Sequence, residues 1–143
     1  MVAIEKVVED TAVSLLKLAV VQLPTDVKGA LKQAYKDETS EAGKDQLEAI
    51  LKDIELAEKE NTPLCQDTGI IIFYVKAGAG VKGLDKIEAA LQNATRRATK
   101  EIPLRPNTVD PFTQKNTGDN TGRYIPYVNW QIVDGESIEI TAV

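Results

Sequence analysis

The chain has 143 residues, 43% of them apolar and 27% charged, with a formal net charge of −5. That length suits one domain, the composition excludes a disordered chain, and the acidic balance argues against a nucleic-acid partner. Histidine is absent and cysteine occurs once, which excludes Ser-His triads, histidine bases, histidine metal ligands and an internal disulfide, and fits a reducing, cytoplasmic setting.

Residues 3 to about 60 read as helical. Ile4, Val7, Val8, Leu15, Leu16 and Leu18 give the first helix its apolar pattern. Pro24 breaks that helix, and Thr25 or Asp26 can cap a second one that runs to about Asp37. Ser40 suits the N-cap of a third helix, where Leu47, Ile50, Leu51 and Ile54 share one stripe. Pro63 lies beyond its end near Asn61. No apolar run approaches the roughly 20 residues of a membrane span, and the acidic start "MVAIEKVVED" lacks the basic region of a signal peptide.

The period then changes. Ile70 to Val75 is continuous and apolar and reads as a strand covered on both faces. After the glycine-rich "KAGAGVKG", Leu84, Ile87, Leu91, Ala94 and Ala98 mark a further helix ending before Pro103. Residues 103–123 form a long loop, of the length that is usually functional or disordered. The tail reads as a hairpin, with Val128, Trp130 and Ile132 on one strand face and Ile138, Ile140 and Ala142 on the next. A three-residue loop, Asp134 to Glu136, keeps these faces together, with Trp130 opposite Ile140 and Ile132 opposite Ile138.

Three stretches carry candidate chemistry. Cys65 sits in "NTPLCQDTG" just before the first strand, where a thiol can face a ligand at a sheet end. The alternative is a buried cysteine acting as a small hydrophobe. Asp67 nearby disfavours a thiolate, so a nucleophilic or redox-sensing role is poorly supported, and a ligand role fits better. Arg105 stands between Pro103 and Pro106, which stiffen the backbone from which its planar fork of donors reaches a carboxylate; a solvated surface arginine is the bland alternative. "NTGDNTG", residues 116–122, repeats a turn signal and reads as a pair of tight turns.

"CQDTG" (65–69) before an apolar strand, "RPN" (105–107), "NTGDNT" (116–121) and the final "VDGESIEI" (133–140) together resemble the iron–sulfur-dependent class I fumarate hydratases and the related L-tartrate dehydratases. The resemblance covers nearly the whole chain and points to the N-terminal part of the α subunit. It implies a [4Fe–4S] cluster held by three cysteines, with one iron open as a Lewis acid. By that resemblance Cys65 is a cluster ligand, Gln66 and Asp67 line the substrate site, and Arg105 clamps a substrate carboxylate. It assigns Thr117, Asp119 and Asn120 nothing beyond shaping the site wall. The other two cysteines and a glycine-rich stretch would lie past Val143. Where the family follows "NTGDNT" with a proline and then a histidine, this chain has Gly122 and "YIPY".

The expected fold is α+β, N-terminal helices packed with an antiparallel sheet and a crossover helix. Residues 1–143 are expected to form one domain, about 1–61 helical and 62–143 mixed, as an N-terminal fragment. The expected activity is reversible hydration of fumarate to (S)-malate, with L-tartrate dehydration as the alternative and a non-catalytic binding or assembly module as a second. Catalytic residues proper, including the proton-abstracting base, are expected outside this chain, so the chain alone is expected to be inactive. Its expected partners are the dicarboxylate and a β subunit or C-terminal domain, in a dimer of αβ units, with no nucleic acid and no membrane.

Overall fold

The computed structural model describes residues 3–65 and 69–143. Its elements are α1 (Ile4–Val21), α2 (Thr25–Asp37), α3 (Glu41–Glu60), β1 (Ile72–Gly78), α4 (Ile87–Glu101), β2 (Tyr127–Val133) and β3 (Ile138–Ala142). The class is α+β, as expected. The chain divides into two compact units, residues 1–17 with 67–143 and residues 18–66.

In the unit of residues 18–66, α2 pairs with α3. Pro24 holds the N-cap position of α2 without a side-chain bond, so Thr25 and Asp26 lie inside the first turn and cap nothing. Ser40 does cap α3, accepting from the Gly43 N–H at 3.4 Å. Asn61 ends that helix in the left-handed conformation, φ 54°. The expected stripe on α3 is only partly covered. Ile54 is buried with Ala57 and Leu64, and Leu23 and Leu31 pack against them, whereas Ile50 stays 44% exposed. The physical reason is that α2 buries no residue fully, so it shields only part of its neighbour.

The other unit is built around β1. The sheet order is β2-β1-β3, with β1 parallel to β2 and antiparallel to β3. The sheet is therefore mixed, not wholly antiparallel, and β2 and β3 do not pair as a hairpin. β1 lies between them. The apolar register expected for the hairpin survives the insertion: Val75 faces Trp130 on one side and Ile140 on the other, and Ala77 faces Ile132 and Ile138. Residues 134–137 cross the end of β1, where Gly78 N–H donates to the Ser137 carbonyl at 2.8 Å and Gly80 N–H to the Gly135 carbonyl at 2.9 Å. Glycine at 78 is what allows this crossing, because a Cβ there would lie 2.3 Å from the Gly135 oxygen. β1 is also covered on one face only. Phe73, Val75 and Ala77 are buried while Tyr74 and Lys76 are exposed.

The crossover from β1 to β2 runs through α4, as expected. Ile87, Leu91, Ala94 and Ala98 are all fully buried, at 0% exposure. They meet Val8, Ala12, Val13 and Leu16 of α1 and the inner face of the sheet in one core. Thr95 on the same face satisfies its hydroxyl by donating to the Leu91 carbonyl at 2.9 Å. Outside the core, Arg97 of α4 donates to Glu9 at 2.6 Å and Asp10 at 2.7 Å on α1. These bonds, to Asp10 first and then Glu9, raise the guanidinium pKa further.

Candidate functional site

Cys65 follows a stretch anchored just before it. Asn61 turns the chain out of α3, and the buried Leu64 seats its side chain against Ile54 and Ala57. Leu64 N–H donates to the Val20 carbonyl at 2.9 Å, and Cys65 N–H to Asp53 Oδ2 at 3.2 Å. The backbone is thus held while the thiol is free and exposed. The reading of Cys65 as a small buried hydrophobe fails on this point. Gln66 and Asp67, the other candidates in this motif, lie outside the described residues.

Arg105 is exposed, and among the described residues its guanidinium makes no ion pair. Its backbone, by contrast, is tightly held. Pro103 and Pro106 have no N–H to give, so few groups of this stretch can anchor it. The side chains of the 116–121 motif take three of them in succession. Asn120 Nδ2 donates to the Arg105 carbonyl at 3.1 Å. Asn116 Nδ2 donates to the Pro106 carbonyl at 2.7 Å. Asn107 N–H donates to Asn120 Oδ1 at 2.7 Å.

Asn120 is 5% exposed and left-handed, φ 57°. Its amide also donates to Thr99 Oγ1 of α4 at 3.2 Å, and Thr99 Oγ1 in turn donates to the Asp119 carbonyl at 3.1 Å. The turns read from the sequence are present. Asn116 Oδ1 accepts from Gly118 N–H at 2.7 Å, and Asp119 Oδ1 accepts from Thr121 N–H at 3.0 Å and Thr121 Oγ1 at 2.7 Å. Burial pushes the Asp119 carboxyl up, but the Thr121 hydroxyl and N–H, the Thr117 hydroxyl and the Arg96 charge together bring it below the usual carboxylate value.

The sequence reading treats "RPN" and "NTGDNT" as separate signals. The structure joins them, because the second motif holds the backbone of the first. Its signal was the repeated Asn/Asp pattern, but spacing alone does not say which backbone an amide will reach. The rest of the long loop is ordered too. Val109 bridges Asn116, and Asp110 accepts from Thr113 N–H, the Thr113 hydroxyl and Phe112 N–H.

A family model described as fumarate hydratase (Fumerase) matches residues 9–143. The chain belongs to the fumarate hydratase family. Cys65, Arg105 and the 116–121 motif all fall within the match. The chain is also 38% identical over 138 residues to a Methanocaldococcus jannaschii protein provisionally named L(+)-tartrate dehydratase subunit alpha, covering 95% of this chain and 48% of that one. It is 42% identical over 120 residues to the L(+)-tartrate dehydratase subunit alpha of Escherichia coli strain UTI89, and 40% identical to that of strain K12, covering 83% of this chain and 40% of each. The chain thus spans about half or less of the length of these relatives.

For a fumarate hydratase family member, the donor chemistry around Cys65 is right in kind and short in number. One exposed thiol is available, and among the described residues no three Cys, His, Asp or Glu side chains group as a metal site. A [4Fe–4S] cluster takes several thiolates. With one cysteine, these 143 residues fall short of the thiolates such a cluster takes.

Proposed function

We propose that this chain is part of an iron–sulfur hydro-lyase acting on a four-carbon hydroxydicarboxylate in the cytoplasm. The observation that carries the reading is the Cys65 thiol, exposed on a backbone fixed through Leu64 and Asp53, in a chain of the fumarate hydratase family. In this reading Cys65 supplies one thiolate to a cluster completed by cysteines outside these residues. The chemistry such a cluster supplies when bound is Lewis-acid activation of the departing hydroxyl. Arg105 grips a substrate carboxylate with its planar fork, which makes no ion pair among the described residues. Gln66 and Asp67 complete the substrate contacts. A β subunit, which the relatives' names as alpha subunits support, brings the proton-abstracting base, in a dimer of αβ units.

Two substrates fit. Reversible fumarate hydration to (S)-malate follows the family description. L(+)-tartrate dehydration is favoured by the names of the relatives at 38% to 42% identity. The chain by itself is inactive in either case.

The test assembles the chain with the remainder of the enzyme, anaerobically, with iron and sulfide. Both substrates are then followed optically, with Cys65→Ala as the comparison. Cluster absorption and turnover that disappear together in Cys65→Ala are expected. Iron binding or turnover that survives Cys65→Ala would remove the thiol from the site, and an assembled complex that binds no iron would leave a binding or assembly role.

A further inference from the structure

The 116–121 motif lies in the fold where it can govern Arg105, and nothing in the reading above gives it that task. Between Pro103 and Asn107 the two prolines remove two of the N–H groups that could tie the segment down. Leu104 N–H bonds locally to the Ile102 carbonyl, and three further groups are held from outside by two amides. Asn120 takes the Arg105 carbonyl and the Asn107 N–H, and Asn116 takes the Pro106 carbonyl. Asn120 is itself braced against α4 through Thr99. A buried amide with all these bonds in place is costly to disturb, because each partner removed leaves a buried polar group unmet. Arg105 itself, meanwhile, is exposed.

We propose that Asn120 is the positioning residue for Arg105, carrying the rigidity of α4 to the backbone from which the guanidinium meets the substrate carboxylate, with Asn116 completing the hold. This rests on the reading of Arg105 as the carboxylate clamp. Asn120 touches no substrate. Its effect is on where Arg105 starts, and a misplacement of about 1 Å is enough to weaken an oriented interaction.

The test measures kcat and KM for L(+)-tartrate and (S)-malate in the assembled enzyme. Asn120→Gly keeps the left-handed backbone and deletes the amide. Asn116→Ala, at an exposed position, serves if Asn120→Gly does not fold. Arg105→Ala reports on the clamp itself, and Val75→Ala, a core change in β1 outside both α4 and the motif, reports the effect of lowered stability alone. The expected result is a KM raised roughly tenfold or more by Arg105→Ala and by Asn120→Gly, the effect of removing or misaligning one charge-assisted hydrogen bond. The double variant should be little worse than Arg105→Ala, while Val75→Ala lowers Tm and leaves KM in place. If Arg105→Ala raises KM and Asn120→Gly lowers only Tm, Asn120 is structural and the proposal is overturned. If Arg105→Ala leaves KM unchanged, the clamp reading fails and the positioning role falls with it.

Discussion

Cys65 and its neighbour Leu64 divide two tasks between adjacent positions. Leu64 is buried and Cys65 is exposed. Leu64→Ala should therefore cost about 2–4 kcal/mol in denaturant unfolding, from reduced burial and an uncollapsed cavity. Cys65→Ala should stay within about 0.5 kcal/mol of the parent. Asp10 offers a second check at this scale. Hydrogen bonds from Lys6 first and Arg97 next hold its carboxyl below the ordinary value. A depressed folded-state pKa stabilises above the unfolded value, and that contribution disappears as the carboxyl protonates in the fold. Stability should thus fall as pH drops below about 4, and Asp10→Asn should flatten that part of a Tm-versus-pH curve. A curve unchanged by Asp10→Asn would show that the exposed pair contributes nothing. Cys65 was legible in the sequence as a candidate, whereas Leu64 and Asp10 were not singled out. The exposure of Cys65 was not, because an apolar strand a few residues on is equally compatible with a buried thiol.

Among the elements, the decisive feature is β1 lying between β2 and β3. The four-residue connection 134–137 must pass over the end of β1, and it does so against Gly78. Gly78→Ala should cost more than about 2 kcal/mol, since backbone on both sides must shift. Gly29→Ala, in the interior of α2 with nothing within 4 Å of the added carbon, should instead stabilise by about 0.5–1 kcal/mol. Urea titration of both variants checks the contrast, and equal effects would show that the clash with Gly135 is easily relieved. The buried face of α4 was readable from its period, because only a helix places Ile87, Leu91, Ala94 and Ala98 on one side. The α3 stripe misled because periodicity marks the apolar side of a helix and does not say whether a neighbour covers it.

For the whole molecule, the proposed cluster needs more thiolates than this chain supplies. With its single cysteine, the isolated chain should retain no stoichiometric [4Fe–4S] cluster after anaerobic reconstitution and desalting, measured by iron and sulfide analysis. A stable cluster on the isolated chain would contradict the three-thiolate reading. The two compact units each carry a hydrophobic cluster of their own, around Leu91 and Phe73 in one and around Ile54 and Leu64 in the other. Among the described residues no helix is long and apolar enough to cross a membrane.

Local chemistry by itself determined the helices, the Ser40 cap and which faces of the tail strands are apolar, because period and capping act over a few residues. It also determined the motifs that carry the family resemblance. Only the tertiary structure decided that β1 separates the two tail strands, since both arrangements bury the same faces and the choice depends on a strand far back in the chain. It likewise decided that Asn116 and Asn120 hold the backbone at Arg105. A side-chain amide can satisfy its own turn or a distant carbonyl equally well, and the fold around α4 selects the partner.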